Sequence, residues 1–198
     1  MQTGVLKVFV LTVLFLLSFF IYADKKNSSG LKKGDIIRDF GMRKVDAETG
    51  KLKSMIWITD FVGKKAQEAE KEKKLLIINF YANWCEPCLK EMNILKKFYE
   101  KYKEKGVQVL SINFRTSDEK FKPTLKKSIE IIKEKGISYP VLFDRFTSRN
   151  QLIYMGQQAT LPALFFVDSS GVIVEKFQGA ELDERVIKKI IEKHIENQ

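Results

Sequence analysis

Apolar runs alternate with helical patterns through the second half of the chain. Leu75–Tyr81 and Val107–Asn113 are runs rich in apolar residues, which is typical of strands buried on both faces of a parallel sheet. Residues 88–105 and 122–135 place apolar side chains at helical spacing, and Gly136 is a helix-ending residue. The predicted order is therefore strand, helix, strand, helix.

The C-terminal part predicts three further strands and a closing helix. Residues 139–143, Ala163–Asp168 and 172–177 have strand-like patterns, and a turn at residues 169–171 joins the last two as a hairpin. Residues 183–196 favour a helix. Parallel crossovers followed by an antiparallel hairpin predict an α/β fold with three layers and a mixed sheet.

The segment before residue 75 has a weaker pattern. Residues 36–45 and 55–58 favour strands, and residues 46–50 between them carry a turn signal. These features predict a hairpin-like N-terminal extension. Residues 64–74, which are charged and contain alanine, favour a helix that leads into the first buried strand.

Residues 8–22 carry no charge and follow a lysine. This length lies between the apolar core of a signal peptide and a membrane span of about 20 residues, so the segment is interpreted as an N-terminal apolar helix that serves as an export signal. We therefore divide the chain into a signal peptide or signal anchor (1–23), a polar tether (24–34) and one folded domain (35–198). The division predicts an extracytoplasmic domain, attached to the membrane through residues 5–23 if the segment is not cleaved.

The formal net charge of +10 comes from 35 Lys and Arg against 25 Asp and Glu. The lysines are spread along the chain and interleaved with glutamates, which is typical of solvated helix faces. Neither a nucleic-acid recognition motif nor an aromatic and basic interleaving accompanies them, so we expect no nucleic-acid partner. The net positive charge fits attraction to an anionic membrane surface better than binding to nucleic acid.

The chain has two cysteines, Cys85 and Cys88, spaced as Cys-x-x-Cys between a predicted strand and a predicted helix. The spacing allows a small disulfide ring and places Cys85 at the helix N-terminus, where backbone donors favour a thiolate. Pro87 fits the first helical turn because its missing N–H costs no hydrogen bond there. We predict that Cys85 attacks a partner disulfide and that Cys88, on the buried side, resolves the mixed disulfide.

Two other uses of the cysteine pair fit the sequence less well. A purely structural bridge would constrain the unfolded chain little, because it closes a very short loop. A zinc site would need further ligands, and the one histidine, His194, lies in a charged C-terminal helix where a surface position is expected. We therefore expect no metal and no cofactor besides the redox-active disulfide Cys85–Cys88.

Residues 79–88 (NFYANWCEPC), followed by Glu91, resemble the thioredoxin-like proteins of the TlpA, ResA and CcmG group. The resemblance extends from about residue 34 to the end of the chain, through residues 139–144 and 160–162. It implies a thioredoxin fold and a membrane-anchored or periplasmic reductase. The implied partners are exported proteins with disulfides, apocytochrome c among them, and a separate electron donor at the membrane or in the periplasm.

The resemblance also assigns two residues that directly precede the predicted strand Ala163–Asp168. Pro162 matches the position that in this fold is a cis proline beside the active-site disulfide, and Leu161 would then offer its backbone to the substrate chain. The alternative for Pro162 is an ordinary proline at the start of a strand.

Glu91 is an acid on the apolar stripe of the helix that follows Cys85. It stands three residues after Cys88 and therefore shares its face, close to the buried sulfur. We predict that Glu91 takes and returns the proton of Cys88 during exchange, and that burial raises its pKa. A carboxylate that reaches solvent from the edge of the stripe is the alternative. Ordinary thioredoxins carry an acid where this chain has Asn79, for which a hydrogen-bonding core role is expected.

Two side chains flank Cys85 in the sequence. Glu86 places negative charge near Cys85, which opposes a strongly depressed thiolate pKa and favours reduction of partners. Trp84 is expected to form an aromatic wall beside the active site, with core filling as the alternative.

Other functions on the same fold require other patterns. The metal-delivering chaperones that resemble thioredoxins use Cys-x-x-x-Cys with a distant histidine, and peroxiredoxins carry a threonine-bearing motif before the reactive cysteine. Neither pattern is present in this sequence. A general disulfide isomerase stays open as an alternative to a reductase of apocytochrome c.

Overall fold

The computed structural model describes residues 30–116, 118–143, 153–157, 159–179 and 182–196. The strands are β1 (Gly41–Asp46), β2 (Lys51–Trp57), β3 (Leu75–Tyr81), β4 (Val107–Asn113), β5 (Val141–Phe143), β6 (Ala163–Asp168) and β7 (Ile173–Gln178). Its helices include α1 (Lys64–Glu68), α2 (Glu86–Tyr102), α3 (Phe121–Lys135) and α4 (Glu184–Glu196). The described strands form one sheet in the order β2-β1-β5-β4-β3-β6-β7.

The strand β3 lies between β4 and β6 inside the sheet. It pairs in parallel with β4, where Tyr81 faces Asn113 at the end of the ladder, and antiparallel with β6, where Phe80 faces Ala163. Every residue of β3 and of β4 is buried, as expected for strands covered on both faces. The C-terminal end of β3 is therefore held on both sides at the point where the cysteine segment begins.

The two faces of the sheet carry different layers. Alternate residues of β3 belong to two separate cores, one packed by α2, α3 and α4, the other by the segment before β3 and by Tyr154 and Met155. The crossovers β3–α2–β4 and β4–α3–β5 advance in the same direction across the sheet. Right-handed connections therefore place α2 and α3 on the same face. The predicted α/β architecture with a mixed sheet is confirmed.

The predicted N-terminal hairpin is also confirmed, although its strands have different bounds. β1 and β2 pair antiparallel, from Gly41 facing Trp57 to Asp46 facing Lys51, and β1 joins the sheet through β5. Residues 36–40, predicted as the start of the first strand, contribute only an isolated bridge between Ile36 and Val172. The hairpin thus extends the sheet beyond β5.

The helix predicted at residues 64–74 is wrong over its second half. α1 ends at Glu68, and Glu70 adopts a φ of 53°, which a right-handed helix does not contain. The amide of Lys73 instead donates to the carbonyl oxygen of Phe61 at 2.6 Å. The other elements predicted from residue 75 onwards agree with the observed bounds to within about three residues.

The predicted export segment, residues 1–23, lies outside the described residues. Over the ranges that the structure describes, no helix is long and apolar enough to cross a membrane. The last part of the predicted tether packs against the domain: Leu31 is buried, and its amide donates to the carbonyl oxygen of Tyr154 at 3.0 Å. Contacts with the core that contains Tyr154 and Met155 therefore begin before residue 35.

Candidate active site

Cys85 and Cys88 lie where β3 ends and α2 begins. Cys85 is the N-cap residue of α2, and a disulfide joins it to Cys88 with the two Cα atoms 5.3 Å apart. Cys85 keeps 6% of its surface exposed, whereas Cys88 has none. Of the two sulfurs, that of Cys85 is the one positioned to meet a second molecule.

The first turn of α2 presents backbone donors to the Cys85 sulfur. The amide of Cys88 donates to Cys85 Sγ at 3.3 Å, and the partial positive charge of a helix N-terminus favours a thiolate at this position. Pro87 occupies the first turn as predicted, where no hydrogen bond of the helix is lost. Glu86 is exposed in the same turn and adds an opposing negative charge.

Trp84 stands in solvent directly before Cys85. Its side chain is 62% exposed, so the alternative in which it fills the core is wrong. An exposed indole ring beside an almost buried sulfur offers an apolar contact for a partner. Its role as a wall of the active site stays a prediction.

The neighbouring strand β6 brings Leu161 and Pro162 to the same edge of the sheet. The Leu161–Pro162 peptide bond is cis, as expected. Because Ala163 faces Phe80 in the β3–β6 ladder, Pro162 lies level with Tyr81, the last residue of β3. Leu161 packs against the core that contains both cysteines. Contact between the Leu161 backbone and a substrate stays a prediction.

Glu91 is fully buried on the face of α2 that also carries Cys88. Asn79 of β3 donates from Nδ2 to Glu91 Oε2 at 2.8 Å and accepts at Oδ1 from Ser111 Oγ at 3.0 Å. The alternative of a carboxylate that reaches solvent is therefore wrong. The hydrogen-bonding role expected of Asn79 is confirmed, and proton transfer by Glu91 stays a prediction.

Tyr139, which precedes β5, completes this polar cluster. Its hydroxyl oxygen lies 3.2 Å from Ser111 Oγ and donates to the carbonyl oxygen of Met92 at 3.4 Å. Burial raises the pKa of Tyr139 well above its ordinary value, the hydrogen bond with Ser111 opposes this shift, and the charge of Glu91 adds to it. Sequence reasoning missed Ser111 and Tyr139 as members of the site. The available signal was Ser111 itself, a polar residue inside an apolar strand.

A second residue that sequence reasoning missed, Asn83, holds the loop between β3 and α2. Its Oδ1 accepts from Asn113 Nδ2 at 3.1 Å and from Ser128 Oγ at 2.9 Å. Its Nδ2 donates to the carbonyl oxygen of Thr124 at 2.8 Å. Because Asn113 ends β4 and the other two partners lie on α3, one side chain ties the loop before the disulfide to a strand and a helix.

His194 does not join the cysteines in any described contact. Its Nδ1 lies 2.8 Å from the carbonyl oxygen of Ile190, one turn earlier on α4. In the part of the chain that the structure describes, no group of three or more His, Cys, Asp and Glu side chains is arranged to hold a metal ion.

The class of protein follows from the place of the disulfide in the fold. A Cys-x-x-Cys pair between a central strand and a helix, with a cis proline at the start of the adjacent strand, is the arrangement of a thiol-disulfide oxidoreductase with a thioredoxin fold.

Comparison with known proteins gives the family. Residues 34–191 match the family model described as Redoxin, and the chain belongs to this family. The thiol-disulfide oxidoreductase ResA of Bacillus cereus is 29% identical over 151 residues, which cover 76% of this chain and 82% of that protein. The protein of the same name from Bacillus thuringiensis subsp. konkukian is 30% identical over 146 residues, which cover 72% and 79% of the two chains.

Solved structures show the same fold. A thiol:disulfide interchange protein of Chlorobium tepidum superimposes with a TM-score of 0.61 at 20% identity, covering 84% of this chain and 99% of that chain. A secreted disulfide oxidoreductase of Mycobacterium tuberculosis gives a TM-score of 0.58 at 13% identity, covering 78% and 95%. The predicted thioredoxin fold is confirmed.

Replacing Asn83→Ala is expected to lower the free energy of unfolding of the oxidised protein by about 2 kcal/mol, because three hydrogen bonds of a half-buried side chain are lost. Urea unfolding measures the change. Asn93→Ala on the exposed face of α2 is the matched control and should change it by less than about 0.5 kcal/mol. Equal effects of the two substitutions would show that Asn83 does not hold the loop.

Proposed function

We propose that this protein is an extracytoplasmic thiol-disulfide oxidoreductase that reduces disulfides in exported proteins. The observation that carries the proposal is the asymmetry of the pair, in which Cys85 is partly exposed and Cys88 is fully buried on the face of α2 that holds Glu91. A pair of this kind supports attack by one sulfur and resolution by the other.

The reaction starts from the reduced pair, with Cys85 as a thiolate. Its sulfur bonds to one sulfur of the substrate disulfide, the substrate S–S bond breaks, and the other substrate sulfur leaves as a thiolate that takes a proton from water. Cys88 then gives its proton to Glu91 and attacks Cys85 Sγ. The Cys85–Cys88 disulfide forms and the mixed disulfide breaks. The substrate sulfur that was bonded to Cys85 leaves with the proton from Glu91.

Two electrons pass from the thiols to the substrate in each cycle, so the pair must be reduced again before the next one. A separate dithiol protein at the membrane or in the periplasm is the electron donor that this chemistry requires. The exposed carboxylate of Glu86 opposes the helix N-terminus at Cys85, and a less stabilised thiolate makes the pair a weaker oxidant. The charge of Glu86 therefore supports the reductive direction.

The substrate surface comprises Trp84, Leu161 and Pro162. The exposed ring of Trp84 supplies apolar contact beside Cys85, and the segment before β6 supplies backbone groups. Neither contact selects a particular side chain of the substrate. A surface of this kind suits polypeptides that present a disulfide in an extended segment.

The compartment and substrate class are part of the same proposal. The uncharged segment 8–22 supports export, with residues 1–23 as signal peptide or anchor ahead of the domain. The resemblance to the TlpA, ResA and CcmG group supports apocytochrome c, whose cysteines must be reduced before haem attachment, as a substrate class.

Trapping tests this proposal in the native host. The full-length Cys88→Ala variant cannot resolve mixed disulfides and should accumulate exported proteins bonded to Cys85, with apocytochromes c among them. Captured proteins are identified by mass spectrometry of thiol-released material. A broad set of exported proteins without apocytochromes c would instead favour a general reductase or isomerase.

The matched control for trapping is Cys85→Ala, which keeps the buried sulfur. Because Cys88 is fully buried, this variant should capture no substrates. Capture by Cys85→Ala equal to that by Cys88→Ala would contradict the division of roles between the two sulfurs.

Glu91→Gln is expected to slow the resolution step by about a hundredfold, since the amide keeps the shape of the side chain and cannot take a proton. Stopped-flow measurement of mixed-disulfide breakdown across pH gives the rate, and the pH dependence should flatten. Glu100→Gln on the exposed face of the same helix should leave both unchanged. An unaltered rate and titration in Glu91→Gln would refute proton transfer by Glu91.

Trp84→Ala is expected to reduce kcat/KM for a protein disulfide by about tenfold through loss of apolar contact, with little change for a small aromatic disulfide. Trp57→Ala removes the other exposed tryptophan, which lies 42% exposed on β2, and should change neither rate. An equal reduction of kcat/KM for the protein disulfide by the two substitutions would contradict a specific role of Trp84 in substrate binding.

A further inference from the structure

Asn79 of β3 hydrogen-bonds both to the neighbouring strand and to the buried acid. It is fully buried and faces Ser111 in the parallel ladder between β3 and β4. Its amide nitrogen lies 2.8 Å from Glu91 Oε2, and its oxygen lies 3.0 Å from Ser111 Oγ. The side chain therefore bridges strand β4 and helix α2 through its two ends.

The hydroxyl of Ser111 lies at the oxygen end of the Asn79 amide. Ser111 donates to Asn79 Oδ1, which leaves the amide NH2 group to point at the carboxyl oxygen. The reversed amide would place its oxygen against Glu91 Oε2, and an ionised carboxylate has no proton to donate to it. The strand pairing thus presents a donor to Glu91.

A donor at this place acts on the ionisation of Glu91. Burial disfavours a charged carboxylate, whereas a hydrogen bond donated to the charged form favours it. We propose that Asn79, oriented by Ser111, is a positioning residue that holds the Glu91 carboxyl group in its ionised form at neutral pH. The inference deepens the proposed function, because it rests on Glu91 as the acceptor of the Cys88 proton.

Among the described residues, the titratable groups that share the surroundings of Glu91 include a thiol and two phenols. Cys88 lies one turn earlier on α2, Tyr139 contacts Ser111 from the segment before β5, and Tyr81 lies at the end of β3 and acts electrostatically on Tyr139. Burial raises the pKa of Tyr81 to about 12, and that of Tyr139 also lies above its ordinary value. Both phenols are therefore neutral at pH 7 and supply no formal charge to Glu91.

Without the donated hydrogen bond the protonated carboxyl group is favoured, so Glu91 should lose its proton at a higher pH. A hydrogen bond to a charged group corresponds to a shift of about one pH unit. Resolution by Cys88, which requires ionised Glu91, should shift to higher pH by the same amount.

The test is a titration of the Glu91 side-chain carboxyl carbon by NMR in the reduced full-length chain, kept in mild detergent because residues 8–22 are apolar. In Asn79→Ala the midpoint should rise by about one pH unit. Ser111→Ala keeps Asn79 but frees its amide to turn, so a smaller rise in the same direction is expected. This milder variant serves if Asn79→Ala does not fold.

Gln108→Leu is the matched control. Gln108 is also a buried amide, lies on the same strand as Ser111, and donates to the carbonyl oxygen of its own neighbour Val109. Its loss should leave the Glu91 midpoint where it is in the unaltered protein. A general effect of removing a buried amide would appear in this variant as well and would contradict the inference.

The outcomes separate this inference from the proposed function. An unchanged Glu91 midpoint in both Asn79→Ala and Ser111→Ala overturns the positioning role of Asn79. A raised midpoint supports it, even if the exchange rate of Glu91→Gln equals that of the unaltered protein. An unaltered exchange rate in Glu91→Gln would refute proton transfer by Glu91, but it would leave the control of Glu91 ionisation by Asn79 in place.

Discussion

Strand β3 is hydrogen-bonded on both edges and buried on both faces, and each part of the site takes its place from this strand. Its middle carries Asn79 towards Glu91 on α2. Its end leads into the loop that Asn83 fixes and then into the N-cap at Cys85. Its antiparallel partner β6 brings Pro162 to the same level. A strand that could slide or tilt would move all of these groups relative to one another.

The same strand buries polar groups, which a sheet core tolerates only when they are paired. Asn79 and Ser111 face each other across two apolar strands and complete their hydrogen bonds with Glu91 and Tyr139. Near the edge of the sheet, Asn83 is similarly surrounded by partners from β4 and α3. These clusters lower the cost of burying the acid and of closing a tight loop.

Much of the fold was predictable from local pattern. The apolar runs at Leu75–Tyr81 and Val107–Asn113 have the length and composition of doubly covered strands, and both are strands with the predicted bounds. The helix predicted at residues 64–74 failed because a composition of Lys, Glu and Ala favours a helix wherever it occurs. The contacts of the following residues with the segment at Phe61 override that preference.

The site divides in the same way between local and distant contacts. Cys85, Cys88 and Glu91 lie within seven residues, so helical spacing alone placed the acid on the face of the buried cysteine. Ser111 meets Asn79 only because parallel strands set the register of residues 32 positions apart, Tyr139 meets Ser111 from 28 positions away, and Asn83 meets Ser128 from 45 positions away.

By itself, therefore, the sequence determined the class of fold, the redox pair, the order of its two sulfurs along the helix and the place of an acid on the helix face of the second cysteine, because each depends on a period of a few residues. The tertiary structure alone decided which polar side chains hold that acid and the loop before the disulfide, and that Trp84 faces solvent. Those outcomes depend on strand register and on the face that each crossover helix covers, which arise when distant segments pack together.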